Sequence, residues 1–97
     1  MKESEFQKKF LDKVKQEIPG CRVIKNDAQY LQGIFDWTVY KGSKFAGLEM
    51  KKSKTAHHQP NQEYYINELN SSGGFGRFVY PENQNEVLEE LVDYMNN

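Results

Sequence analysis

Glu49 and Lys51 stand one residue apart in Phe45-Ala46-Gly47-Leu48-Glu49-Met50-Lys51, and Asp36 opens the earlier run Asp36-Trp37-Thr38-Val39-Tyr40. Strand side chains alternate faces, so Glu49 and Lys51 project to one side while Leu48 and Met50 project to the other. Lys41-Gly42-Ser43-Lys44 joins the two runs, with aromatic and β-branched residues in the first arm, which predicts a β-hairpin. In such a hairpin Asp36 can lie across from the other two, so that two carboxylates and an ammonium converge on one sheet face. A hard divalent cation takes oxygen ligands of this kind, and a lysine beside it can orient or activate a water. Alternating opposite charges are also common on solvated sheet faces, so Glu-x-Lys alone does not select the chemistry.

The elements that must hold these residues follow from periodicity. Phe6, Phe10, Leu11, Val14 and Ile18 form one stripe at helical spacing, predicting a first helix from Glu3 to Glu17 that Pro19-Gly20 terminates. On a helical wheel Glu3 falls near the Phe6/Phe10 line and Glu5 points away, which makes Glu3 the inward-facing carboxylate. Both also suit the positive end of a helix dipole. Cys21 to Lys25 reads as a strand. The polar stretch from Asn26 to Gly33 is the longest irregular segment before the site, a place where substrate contact is plausible. Its Tyr30 can stack on a base or pack on the sheet edge, and packing is the favoured expectation.

Beyond the hairpin, Lys52-Ser53-Lys54-Thr55-Ala56-His57-His58 is basic and short of apolar residues. A solvated loop is the ordinary reading; beside the carboxylates, its lysines could also bind phosphates. Adjacent histidines without a further Cys or His make a poor zinc site. Pro60 suits the first turn of a helix running to about Asn70, with Tyr65, Ile66 and Leu69 as its apolar stripe and Gln62 one turn before Ile66. Ser71-Ser72-Gly73-Gly74 ends it, and Gly74-Phe75-Gly76 reads as a cap and turn. Arg77-Phe78-Val79-Tyr80 is the fourth strand, and Asn85 to Met95 a last amphipathic helix. The order is αβββαβα, in which the first three strands can pair antiparallel and a helix between the third and fourth allows a parallel crossover.

Ninety-seven residues with 28% charged and 13% aromatic side chains suit one folded domain. No apolar run approaches a membrane span, and the lone Cys21 excludes an intrachain disulfide, so a cytoplasmic setting is expected. The net charge of −1 hides an asymmetry: Lys41 to His58 holds five lysines and two histidines against one acid, while Glu82 to the end holds five acids and no Lys or Arg. Binding of a polyanion depends on local charge, so Lys41, Lys44, Lys52, Lys54, His57 and His58 are candidate DNA contacts.

An acidic residue starting a helix, Gly33-Ile34-Phe35-Asp36 opening a strand, Glu49-Met50-Lys51 closing the next and Gln62 in a following helix together resemble the PD-(D/E)XK nuclease superfamily. Within it they resemble the small VRR-NUC and Holliday-junction-resolvase-like enzymes. The resemblance covers nearly the whole chain and departs at Phe35, where the family usually has proline. It implies an α/β fold with a restriction-endonuclease-like αβββαβ core, a mixed central sheet flanked by helices, and a C-terminal helix. It further implies Mg²⁺ or Mn²⁺ held by Asp36, Glu49, the backbone carbonyl of Met50 and a helix-1 carboxylate, which it maps best onto Glu3 with Glu5 second, and Lys51 and Gln62 complete the catalytic set. The activity implied is that of a DNA endonuclease, structure-selective for junctions or flaps and often homodimeric. A non-catalytic DNA-binding or assembly module that keeps the fold is the alternative. A third reading is an RNA-directed or housekeeping protein in which these charges are simply exposed; Asp36 and Glu49 on opposite sheet faces would decide for it.

Overall fold

The computed structural model describes residues 2–97. Its elements are α1 (Glu3–Glu17), β1 (Arg22–Lys25), β2 (Trp37–Lys41), β3 (Lys44–Met50), α2 (Gln62–Ser71), β4 (Phe75–Val79) and α3 (Gln84–Met95). The sheet order is β1-β2-β3-β4, antiparallel between the first three strands and parallel between β3 and β4. A mixed α/β architecture of three helices and a four-stranded mixed sheet results. The parallel pair needs a crossover, and α2 supplies it.

Helices cover both faces of the sheet. Phe6, Phe10, Leu11 and Val14 of α1 and Val87, Leu91 and Met95 of α3 pack on Val39, Ala46, Leu48, Met50, Phe75 and Val79. Ile18, just past the end of α1, is fully buried in the same cluster. Since strand residues alternate, residues 38, 45, 47 and 49 face the opposite way. There α2 lies over β3 and β4, so the apolar face fixes which residues are left to the face with the polar cluster.

Several boundaries differ from the sequence expectation, each for a local reason. Lys41 pairs with Lys44, so the hairpin turn shrinks to Gly42-Ser43 and both lysines belong to strands. Pro60 lies outside α2: Asn61 at its N-cap takes a left-handed backbone (φ 71°), a conformation asparagine tolerates better than most, and the helix starts at Gln62. Phe75 and Gly76 are strand and not turn. A Cβ on Gly76 would come 2.7 Å from the Ile66 carbonyl oxygen, so glycine there lets α2 lie directly on β4. Asn70 fastens this contact, accepting from the Gly76 N–H (2.7 Å) and donating to its carbonyl (3.0 Å). Tyr30 does not pack on the sheet edge; it is 92% exposed on the 26–36 connection.

Candidate active site

The β2–β3 register pairs Trp37 with Leu48 and Thr38 with Gly47. Continued one residue outward, it sets Asp36 directly across from Glu49, on the same face of the sheet. The opposite-face arrangement, which would have decided for charges that are simply exposed, is not what the register gives. Hydrogen bonds lock the pair reciprocally: the Asp36 N–H donates to Glu49 Oε1 (3.1 Å), and the Met50 N–H donates to Asp36 Oδ2 (3.0 Å). Lys51, two residues after Glu49, returns to the same face. Its backbone N–H extends the parallel ladder to the Val79 carbonyl (2.7 Å), which anchors it beyond the end of β3.

Gln62, in the first turn of α2, ties the other two together. Its Nε2 donates to Glu49 Oε2 (2.7 Å) while its Oε1 accepts from Lys51 Nζ (2.7 Å) and from the Gln59 N–H (2.8 Å). Lys51 Nζ also donates to the His57 carbonyl (3.2 Å) and lies 3.7 Å from Glu49 Oε2. Glu49, Lys51 and Gln62 are all buried, yet among the described residues no buried polar side-chain atom lacks a hydrogen-bond partner. A satisfied buried network of this kind is rigid. It positions functional groups without needing a ligand to organise them.

Residues that the sequence pattern did not single out support the network. Asn26 continues the alternation of Arg22 and Ile24 onto this face. Its N–H donates to the Asp36 carbonyl (2.8 Å), and its side chain donates to the Phe35 carbonyl and to Thr38 Oγ1 (2.9 Å each). This clamp fixes the backbone on both sides of Asp36. Phe35, buried where the resembled family has proline, lays its ring against Gly47; a Cβ there would sit 2.6 Å from ring carbons. Lys25 Nζ reaches to 3.9 Å from Asp36 Oδ1 and stands over the Trp37 ring.

Electrostatics follow from burial. Glu49 is 3% exposed, and its carboxyl is pushed up to about 7, first by burial and then by the neighbouring Asp36 carboxylate, against the opposing pull of Lys51. Two carboxylates that repel one another in a partly dry site form a donor set that a divalent cation would relieve. Mg²⁺ is commonly held by one or two carboxylates, with waters and substrate phosphate filling its remaining positions. Asp36 and Glu49 fit that description.

Other expected members are not brought together. Glu3 is exposed on the first turn of α1, and among the described residues no three His, Cys, Asp or Glu side chains are grouped to hold a metal ion. The helix-1 carboxylate therefore does not join the pair; Gln7, one turn on, meets the sheet instead by accepting from Trp37 Nε1 (3.1 Å). The basic residues also divide. Lys52 and Lys54 are exposed next to Lys51, whereas Lys41 and Lys44 sit at the hairpin turn, the whole length of β3 away. Lys44 Nζ stands over the Tyr94 ring at 5.0 Å. His58 is half-buried, stacked on Phe78 with ring centroids 4.1 Å apart and paired with Glu63 at 3.1 Å; His57 contributes its carbonyl to Lys51.

No family model, curated protein or solved structure matches the chain.

Proposed function

We propose that this chain is a metal-dependent endonuclease that hydrolyses phosphodiester bonds in DNA, acting on branched substrates such as junctions or flaps. The observation that carries the reading is the convergence of Asp36, Glu49 and Lys51 on one sheet face, joined through Gln62. Paired carboxylates beside a lysine are the groups that metal-assisted phosphoryl chemistry requires. Asp36 and Glu49 would hold Mg²⁺ or Mn²⁺, and the Met50 carbonyl is the candidate third oxygen. When bound, the ion supplies a water of lowered pKa and neutralises charge on the scissile phosphate.

The chain's own residues do the rest. Gln62 fixes the Glu49 carboxylate and the Lys51 ammonium in one rigid arrangement. An ammonium has three donors; Gln62 and His57 take two, leaving one for an attacking water or a phosphate oxygen. Burial keeps these charges in a medium where they act more strongly than in bulk water. Lys52 and Lys54, exposed beside the site, suit phosphates flanking the scissile bond. The elements α1 to α3 and β1 to β4 all belong to the sheet or to the helices that cover it, which favours recognition of DNA shape by this domain. Two copies would present two such sites to two strands.

Purified protein with Mg²⁺ or Mn²⁺, set against linear, flap and four-way-junction DNA of one sequence, tests this. Cleavage concentrated on the branched substrates and abolished by EDTA is expected. Intact substrate in both metals would leave the non-catalytic DNA-binding reading.

A further inference from the structure

The sheet face that carries Asp36 and Glu49 continues past them as an exposed surface. Cross-strand registers set Arg22, Tyr40 and Phe45 in one row and Ile24, Thr38 and Gly47 in the next. Asn26, Asp36 and Glu49 make the third row, through the bonds between Asn26 and Asp36 and between Asp36 and Glu49. Over this face α2 lies on β3 and β4. Ile24 is left 47% exposed, Tyr40 37% and Phe45 42%. Apolar side chains exposed together on neighbouring strands mark an interaction surface better than scattered ones do.

The composition of the row selects the partner. Of the charged residues of β1 to β3, Arg22 is exposed on this face and Glu49, their single acid, is buried, while Lys25, Lys41 and Lys44 alternate to the other face, Lys25 over Trp37 and Lys44 over Tyr94. A second copy laid on this face would offer the Arg22 guanidinium no counter-charge from these strands, whereas a nucleic acid strand offers it phosphates and offers the rings bases. Tyr40 and Phe45 are direct cross-strand partners, and Arg22 is the partner of Tyr40 on the other side. Two aromatic rings beside a guanidinium on an open antiparallel sheet offer stacking surfaces to bases that have left a duplex.

We propose that the Arg22–Tyr40–Phe45 row is a stacking platform for unpaired bases of a single-stranded DNA segment leading to the Asp36–Glu49 pair. The inference rests on the nuclease reading and adds its substrate class, DNA with an unpaired arm. Four residues of strand separate the row from Asp36, about 13 Å at ~3.3 Å per residue. The cut therefore falls a short stretch of backbone from the stacked bases.

The test is fluorescence anisotropy in EDTA, where nothing is cleaved, with labelled oligothymidylate and a blunt duplex as separate probes. The proteins are the wild type, Tyr40→Thr, Phe45→Thr and Tyr40→Phe; threonine keeps a strand-favouring residue at each exposed position, and an unchanged melting curve verifies the fold. Each threonine variant is expected to bind the single strand about tenfold more weakly, as the loss of one base–aromatic stack implies. Tyr40→Phe keeps the ring and should bind like the wild type, and duplex affinity should not change. Unchanged single-strand affinity in both threonine variants overturns the proposal, as does an equal loss on duplex. Loss of self-association with single-strand affinity intact also overturns it, because the row would then join two copies. A parallel digestion of a flap in Mg²⁺ separates the two claims. A wild type that cuts while both threonine variants bind normally removes the platform and keeps the nuclease. Weakened single-strand binding by the threonine variants, with a wild type that never cuts, keeps the platform and removes the nuclease.

Discussion

Ionising Glu49 in the folded protein should destabilise it, and the replacement Glu49→Gln should remove that effect. Its carboxyl is raised from 4.5 to about 7, by burial first and by Asp36 second. Well below 4.5 both folded and unfolded chains carry the proton, and the group adds no pH dependence. Between 4.5 and about 7 the folded state keeps a proton that the unfolded state has released, so stability falls as pH rises. Above that window both states are ionised and the loss is complete. At about 1.4 kcal/mol per unit the full shift corresponds to about 3 kcal/mol, which screening and local relaxation reduce to roughly 2 kcal/mol. For a domain of this size about 1 kcal/mol moves Tm by about 4–8 °C, so the expected difference is on the order of 10 °C. The assay is thermal unfolding in EDTA from pH 5 to pH 8, for wild type and Glu49→Gln. Glutamine keeps an acceptor for the Asp36 N–H but turns a donor toward Gln62, which costs a constant amount. His57 and His58 are present in both proteins and cancel, so only the difference in slope matters. Parallel curves for the two proteins would refute the coupling of Glu49 to burial and to Asp36.

Lys51→Ala should reduce cleavage of junction DNA by more than its effect on binding, because Lys51 belongs to the buried network and not to the exposed basic loop; comparing single-turnover rates with anisotropy affinities checks this. Neutralising Lys52 and Lys54 together should weaken binding to junctions of unrelated sequence about equally and flatten the dependence of log K on log salt by about one unit per lysine. An unchanged slope would make that loop a solvated segment without a partner. Gly47→Ala should cost about 1–3 kcal/mol in urea unfolding, since the new methyl would meet the Phe35 ring at 2.6 Å. Alanine tolerated without loss would show that this ring moves freely.

The hairpin was legible because its alternation has a period of two: once Leu48 and Met50 enter the core, Glu49 must share the other face with Asp36. The amphipathic stripes of α1 and α3 were legible for the same kind of reason. Glu3 shows where such reasoning ends. A helical wheel gives direction around the axis, but not how far the first turn lies from a strand end on another element. The basic run misled differently, since β3 carries Lys44 and Lys51 to opposite ends of the sheet although they are close in sequence. Gly74-Phe75-Gly76 looked like a turn because the need for glycine under Ile66 is a tertiary contact with no local mark. Asn26 was hidden in a polar connection, although its parity with Arg22 and Ile24 already placed it beside Asp36.

The most direct test of the central claim is single-turnover cleavage of an end-labelled four-way junction with an unpaired arm, in Mg²⁺ or Mn²⁺, by wild type and Asp36→Asn. Asp36→Asn preserves an oxygen for the Met50 N–H but removes the charge that would hold the cation. A wild type that cuts the junction, with the variant slowed about 100-fold or more and its junction affinity retained, is the predicted result. Equal rates for the two proteins, or a wild type that leaves every phosphodiester intact in both metals, would contradict the assignment of Asp36 and Glu49 as a metal-binding catalytic pair.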